Sequence, residues 1–549
     1  MRTALALLIS FAACSAQVEI VAKPHLGEAG GFGASHRVEL INRGAAESGR
    51  LELIGSGGEQ RFIPIELPTG ARKEIDVFFD EPRTTRRRGR VSLLPALYWQ
   101  PENGARREIR LNLSPTFDSP FVVLGDLKGG FEAVRLMAER ALGQGSRWVA
   151  SRIPAPVYMA PEDAPLDIRW LRPVSVLILV EGAERLSREQ QVVILAWIAS
   201  GGRLAVSGIG PFPGLKGSLL GDLAPKIIGQ SVVDGEPQAI YEPNRVLSLS
   251  APHPPILKPY GQGEVYFYAT SAASQRRFSD ILQIASSRIE QGRRPETATV
   301  LLEVDKDRMI LASVCLALFF FSLLILRLAL RKMGRLTTGP VLIAPLCAIA
   351  AIIISQSLPE TGVKTAGAPE LRLIGSADSP IYLSSGEIRW LAPRGEWRKT
   401  FPADAVVDYS GAFFASRTQR VSVNEGSETV VEGYNATVAE VSFRVEQAID
   451  LGGAIRVERV SDNKGLSQVV RIDNDTRATL TGVSLNANNV NVHLADRLEP
   501  GQSKLFGQEG AARPTFPTHA RSISVTARVA GIEGLPSNVH TAMLEATLP

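Results

Sequence analysis

VSVLILVEGAERLSREQQVVILAWIASGGRLAVS, residues 174–207, decides how the middle of the chain is read. Val174 to Val180 is an almost unbroken aliphatic and β-branched run, the composition of a strand covered on both faces. Ser187 and Gln190 stand three apart. At that spacing a serine side chain caps the third helical amide while the glutamine reaches back to the serine amide. The pattern predicts a helix through Ser200, apolar nearly all round from Val192 to Ala199 and therefore buried. Gly201-Gly202 ends it, and Leu204 to Ser207 reads as a second strand. A strand, a helix and a strand in that order predict parallel pairing through a right-handed crossover.

Working outward, the same layering is expected over residues 116–300. Phe121 to Leu124 is a short apolar strand, and Phe131, Val134, Met137, Ala138 and Ala141 share one helical face. Val265 to Ala269 and a helix from Phe278 to Glu290 complete an α/β domain. Upstream, short alternating runs are separated by Gly, Asn and Pro: Arg37–Ile41, Arg50–Ile54, Arg61–Ile65, Lys73–Phe79 and Arg107–Leu113. They predict a β-sandwich over 17–115. Downstream, Gly386–Trp390, Val438–Val445, Val469–Ile472 and Ser522–Val529 alternate as strands do. Residues 358–434 read as an irregular β-rich segment, and 435–549 as a second β-sandwich with C-terminal strands.

The remaining segments carry membrane signals. Arg2, the apolar stretch Ala4–Ala13 and the small residues Ala12–Ala16 have the layout of a secretory signal over residues 1–16. Two processing routes fit: cleavage after Ala16, or lipidation of Cys14, since Phe11-Ala12-Ala13-Cys14 resembles a lipoprotein box. Met309 to Leu326 and Leu336 to Leu358 contain no charged residue, and each is long enough to cross a bilayer. Between them lie Arg327, Arg331, Lys332 and Arg335 with no acidic residue, whereas Glu303, Asp305, Lys306, Asp307 and Arg308 alternate in sign. The positive-inside rule puts such a connector in the cytoplasm. The expectation is a two-helix transmembrane hairpin over 309–357 in a bacterial inner membrane, with both large parts on the periplasmic or extracellular face and the lipid bilayer and envelope proteins as partners. The fold class expected is thus multidomain α/β plus β.

Composition excludes some functions. A net charge of +4 over 549 residues argues against nucleic acid as a partner. The three cysteines, Cys14, Cys315 and Cys347, fall in the signal and the apolar segments, so the rest has no disulfide framework and no Cys-ligated metal. The six histidines, at 25, 36, 253, 493, 519 and 540, show no metal spacing. No cofactor is expected. Arg83, Arg86, Arg87, Arg88 and Arg90 read as an exposed loop between strands.

Leu186 to Gly208 resembles the helix and strand of class I glutamine amidotransferase-like domains embedded in a group of bacterial membrane proteins with no assigned chemistry. VELINRG, ESGRLELIG and LPTGARKEIDVFF, between Val38 and Phe79, are similar to the N-terminal sandwich of that group. VVRIDNDTRATLTGVSL and RLEPGQSKLF, between Val469 and Phe506, resemble its C-terminal sandwich, an asparagine-containing turn and a Pro-Gly-Gln punctuating the strands. The resemblance implies an amidotransferase-like α/β fold between β-sandwiches and no particular reaction.

An amidotransferase needs a cysteine nucleophile with a histidine base and a carboxylate behind it. Residues 116–300 contain no Cys, and their one histidine is His253, within Ala251-Pro-His-Pro-Pro255. Ser207 ends a strand, but its flanks, Ala205-Val-Ser-Gly-Ile209, are not those of a nucleophile elbow. Gly125 to Gly130 follows a strand but lacks the Gly-Lys-Ser/Thr ending of a nucleotide loop. Gly208, Gly210 and Gly214 imitate a dinucleotide loop that Pro211 and Pro213 spoil. Asp126 and Glu181 end two parallel strands, where ligands of open α/β sheets gather. Asp126, Glu181 and Ser207 are therefore the candidate pocket residues, with no catalytic, cofactor or metal residue assigned. Two function classes follow: a non-catalytic binding or scaffold module, favoured by the missing nucleophile–base pair, and a hydrolase or amidotransferase-like enzyme with an unrecognised site. A sensor signalling inward fits poorly, because the connector Arg327–Gly339 is too short for an output domain.

Overall fold

Parallel strands with no polar face must be covered on both sides, and on one side of the central sheet the cover is a single helix with a second sheet behind it. The computed structural model describes residues 18–24, 36–54, 60–78, 96–111, 121–126, 157–207, 217–233, 236–242, 255–269, 328, 331–332, 371–392, 395–409, 420–425, 428–435, 439–461, 468–487, 490–506, 523–530, 532 and 541–547. Its central sheet has six strands, ordered Ile256–Tyr260, Gly263–Phe267, Arg203–Val206, Val176–Leu179, Phe121–Leu124 and Val157–Met159. All neighbours are parallel except the first pair. Leu177 aligns with Leu204 on one side and Val122 on the other.

The crossover helix α1, Arg188–Ala199, opens on the expected capping box. The Ser187 hydroxyl accepts from the Gln190 amide at 3.2 Å, and the Ser187 amide donates to the Gln190 side chain at 2.8 Å. Gln190 is itself buried and donates to the carbonyls of Pro161 and Ala164, so the cap also fastens the preceding loop. At the other end Gly201 takes φ 115°, and the Gly202 amide returns to the Trp197 carbonyl at 3.0 Å. Gly202 has no room for a side chain: a Cβ there would lie 2.4 Å from the Trp197 indole.

Helix α1 is apolar all round because it has a sheet on each side. Ile194 to Ala199 are all buried, in one core with Leu177 and Val265 of the central sheet and with Ile381, Leu383 and Val406 from the far end of the chain. Ile381 and Leu383 belong to the long strand Ile381–Ala392, which pairs with Ala439–Asp450 inside an eight-stranded sheet.

The expected fold class, an α/β domain and a transmembrane hairpin between separate sandwiches, is corrected by this arrangement. The described residues are dominated by strand, and α1 is the one α-helix whose extent is described. A β-sheet from the C-terminal half lies over α1, and with strand dominating the described residues the amidotransferase-like label on 116–300 is not retained. The helices expected at 131–141 and 278–290 lie outside the described residues. So do the signal segment 1–16 with Cys14, and the hairpin 309–357 apart from Leu328, Arg331 and Lys332. Among the described residues no helix is long and apolar enough to cross a membrane. The 12 residues of α1 span only about 18 Å against a hydrocarbon core of about 30 Å. Inner-membrane anchoring by a helical hairpin, and the localisation built on it, are therefore withdrawn.

Strands from the two ends of the chain also share a sheet. Gln60–Leu67 runs parallel to Arg420–Glu425, with Val423 beside Arg61, in a seven-stranded sheet that includes Gly395–Phe401 and Glu47–Ile54. Val38, Leu40 and Val77 of a three-stranded sheet face Leu51, Ile65, Leu97 and Trp99 of this larger one across a common core. A second pair of sheets buries Ile455 and Ile472 against Leu480, Val483, Val525 and Leu544. Each pair is pinned by a buried asparagine whose side-chain amide donates to several backbone carbonyls. Asn42 donates to Ala45, Leu67 and Pro68, and Asn474 to Ala478 and Leu498. A buried polar group is tolerated only when so paired.

Trp197 is 3% exposed between the two sheets. Trp197→Ala should lower stability by about 3–5 kcal/mol, as aromatic truncations in tight cores do. Urea unfolding that shows a loss below about 1 kcal/mol would contradict this packing.

Candidate functional site

The carboxyl ends of the parallel strands carry the three candidates, and each has a partner or a cover. Asp126 follows Phe121–Leu124. Its amide donates to the Glu181 carbonyl at 2.7 Å, so the loops after adjacent strands are tied edge to edge. Its carboxylate receives both terminal nitrogens of Arg185, at 2.6 and 3.1 Å. Arg185 Nε also meets Glu162 at 2.9 Å. The Asp126 hydrogen bond, ahead of the other contributions, holds the Arg185 guanidinium above its ordinary pKa. Gly182, at φ 95°, leaves the Asp126 carboxylate its place: a Cβ there would lie 2.6 Å from it. The backbone of Glu181 thus helps to form this latch, while its side chain is exposed.

Ser207 ends Arg203–Val206 at 5% exposure, its amide donating to the Leu179 carbonyl at 2.9 Å. The structure therefore brings Asp126 and Glu181 together through their backbones and holds Asp126 in an ion pair. Ser207 stands under cover, one strand from Glu181 and two from Asp126. His253, Lys128 to Gly130 and Gly208 to Gly214 lie outside the described residues, as does the arginine run 83–90. Among the described residues no group of three His, Cys, Asp or Glu side chains is placed to hold a metal ion.

A second polar cluster was not expected from the sequence. Arg61, on Gln60–Leu67, reaches Asp408 on Val406–Tyr409 at 2.9 Å. Arg172, in the loop before Val176–Leu179, bridges Asp408 at 2.7 Å and Glu446 at 2.7 Å. Arg444 closes on the other oxygen of Glu446 at 2.5 Å. The side chains of Arg61 and Glu446 are 6% and 3% exposed, and that of Asp408 15%. Burial alone would push the Asp408 carboxyl upward, but Arg172, Arg61 and Arg169 together hold it well below the usual carboxylate range. For Arg172 burial disfavours the charge, and Asp408 and Glu446 more than restore it. In the sequence these residues are ordinary strand and loop charges, Arg444 only two positions from Glu446 and Arg172 three from Arg169. Nothing local names their partners, because the pairs are separated by 347 and 274 positions.

A third polar spot is a shallow cleft lined by Asp222, Lys258, Tyr260, Ser376 and Asp378, with room for about one water molecule. Burial pushes the Lys258 ammonium below its ordinary pKa, and Asp378 opposes the shift. Tyr260 is fully used here, its hydroxyl 2.8 Å from both the Ser379 hydroxyl and the Ile381 carbonyl. No family model matches the chain, and no curated protein matches it either.

Asp408 generates a pH test. Its folded pKa is depressed, so its contribution is fully present above the unfolded carboxylate value of about 3.9 and disappears as pH falls through the folded value. Asp408→Asn should cost about 3–5 kcal/mol near neutrality, because it leaves Arg61 buried without its anion. The gap between variant and parent should hold from about pH 5 to 8 and narrow below about pH 4. A gap independent of pH across that range would remove Asp408 from the charged network.

Proposed function

We propose that the chain is a non-catalytic binding or scaffold module whose partners are proteins. The observation that carries this reading is the Arg185 latch on Asp126 and Glu162. At the edge where an open parallel sheet usually receives its ligand, the chain places its own ion pair. Acyl transfer needs a nucleophile with a base in reach and donors for the oxyanion. Ser207 is covered, and Asp126 is committed to an arginine. What the fold offers instead is a rigid set of sheets, cross-tied at several points, that can hold partner surfaces at fixed spacing.

Full-length protein incubated with glutamine and with p-nitrophenyl acetate should release product no faster than buffer, and Ser207→Ala should change neither rate. Turnover that disappears in Ser207→Ala while thermal unfolding is unchanged would establish an enzyme and overturn this reading.

A further inference from the structure

A lysine normally carries its ammonium into water at the end of an apolar stem. Lys258 is held differently. It stands on the strand Ile256–Tyr260 of the central sheet, opposite Val265 of Gly263–Phe267. Opposed residues, and every second residue along a strand, share a face, so Lys258, Val265 and Tyr260 point the same way. Val265 and Tyr260 are buried in the core around α1, which puts Lys258 on the face that meets the C-terminal sheet.

Three elements close around it to form the shallow cleft. Asp222 and Leu223 come from the turn Gly221–Leu223, Tyr260 from the strand itself, and Ser376 and Asp378 from the end of Arg372–Ser376 and the turn beyond it. Leu223, Val265 and Tyr260 are buried and make the inner wall, while Asp222 and Asp378 are exposed and make the rim acidic. Lys23 and Lys226 each meet a glutamate. The Lys258 ammonium, among the described residues, makes no hydrogen bond and no ion pair. Burial pushes it below its ordinary pKa, and Asp378 opposes that shift without touching it. The other titratable groups lining the cleft are Asp222 and Tyr260, and the Tyr260 hydroxyl is already committed to Ser379 and Ile381.

An amine whose charged form is disfavoured keeps more of its lone pair free at neutral pH, and this is how buried lysines become nucleophiles toward carbonyl groups. The cleft restricts the electrophile. Room for about one water molecule admits a carbonyl head and leaves its substituent at the mouth. The acidic rim repels anionic carbonyl compounds and favours an adduct that keeps a positive charge. A protonated imine keeps one; an amide or a carbamate does not.

We propose that Lys258, in the cleft between the central and C-terminal sheets, is a modification site that condenses reversibly with short, uncharged aldehydes. The amine lone pair adds to the carbonyl carbon, forming the C–N bond of a carbinolamine. The aldehyde oxygen then leaves as water with both amine protons, and the C=N bond forms. The imine takes up one proton from solvent, and the resulting cation lies beside Asp222 and Asp378. No electron is gained or lost, so no oxidant or reductant is needed. Adduct formation is stoichiometric and stands apart from the scaffold reading, which concerns turnover and partners.

Reductive trapping tests this on the full chain, with Lys226, whose side chain is 71% exposed, as the internal reference. Limiting acetaldehyde with cyanoborohydride at pH 7 should ethylate Lys258 at least about fivefold faster than Lys226, measured by peptide mass mapping. With glyoxylate, an anionic aldehyde, the preference should fall to about even. The Lys258 rate should rise with pH to an inflection below the ordinary lysine value of about 10.4. Asp378→Asn should move that inflection lower still, because it removes the anion that favours the ammonium. Asp378 is exposed, so this variant keeps its fold. Ethylation of Lys258 no faster than of Lys226, an inflection at the ordinary lysine value, or an undiminished preference with glyoxylate would each overturn the proposal.

Discussion

Asp408 sits between two arginines that the chain delivers from far upstream, Arg61 buried and Arg172 one-third exposed, and this triad joins the N-terminal and C-terminal halves of the molecule. Arg61 comes from the sheet of the N-terminal sandwich, Arg172 from the loop entering the central parallel strand, and Glu446 from the strand beside Asp408. A buried ion pair contributes little net stability over a well-packed apolar substitute, since desolvation offsets most of the attraction. Its effect lies in exclusivity. Any other docking of these sheets would leave at least one charge buried without a partner, at a cost of several kcal/mol. The parallel pairing of Gln60–Leu67 with Arg420–Glu425 sets Val423 beside Arg61, in register with this docking.

With that docking set, helix α1 acquires its second cover. The turn Tyr260–Gly263 fits beneath the end of α1, where a Cβ on Gly261 would lie 2.8 Å from Ala199 and 2.9 Å from Ile374. Tyr260 ties the same point to Ser379 and Ile381 through its hydroxyl. Central sheet, helix and C-terminal sheet thus meet over glycine and tyrosine contacts that allow little sliding.

Local signals were legible in the sequence where the chemistry is local. The aliphatic run at 174–180, the Ser187–Gln190 capping box and the Gly201-Gly202 stop all operate within one turn or one strand, and each has its expected structural counterpart. The all-round apolarity of 192–199 foretold a buried helix but could not say what buried it. The covering strand, Ile381–Ala392, was legible only in its second half, where Gly386–Trp390 alternates; the half that meets α1 lay behind polar letters, Ser384 being buried within a sheet whose ladder satisfies the backbone around it. The candidate site was half legible. Strand-end positions placed Asp126 and Glu181 side by side, yet Arg185, which decides what Asp126 does, looked like any surface charge. The Arg61–Asp408–Arg172 triad was illegible, because long-range pairing leaves no periodicity.

Described strands on either side of 309–357 form one cooperative body around the Arg61–Asp408–Arg172 triad. Native-state hydrogen exchange tests it directly, because amides that open in one cooperative unit share one opening free energy. The slowest amides of Gln60–Leu67, Val176–Leu179 and Ala439–Asp450 should share a single opening free energy, and Asp408→Asn should lower it equally in all three. Separate opening energies for these strands, with Asp408→Asn affecting only the Ala439–Asp450 amides, would contradict it.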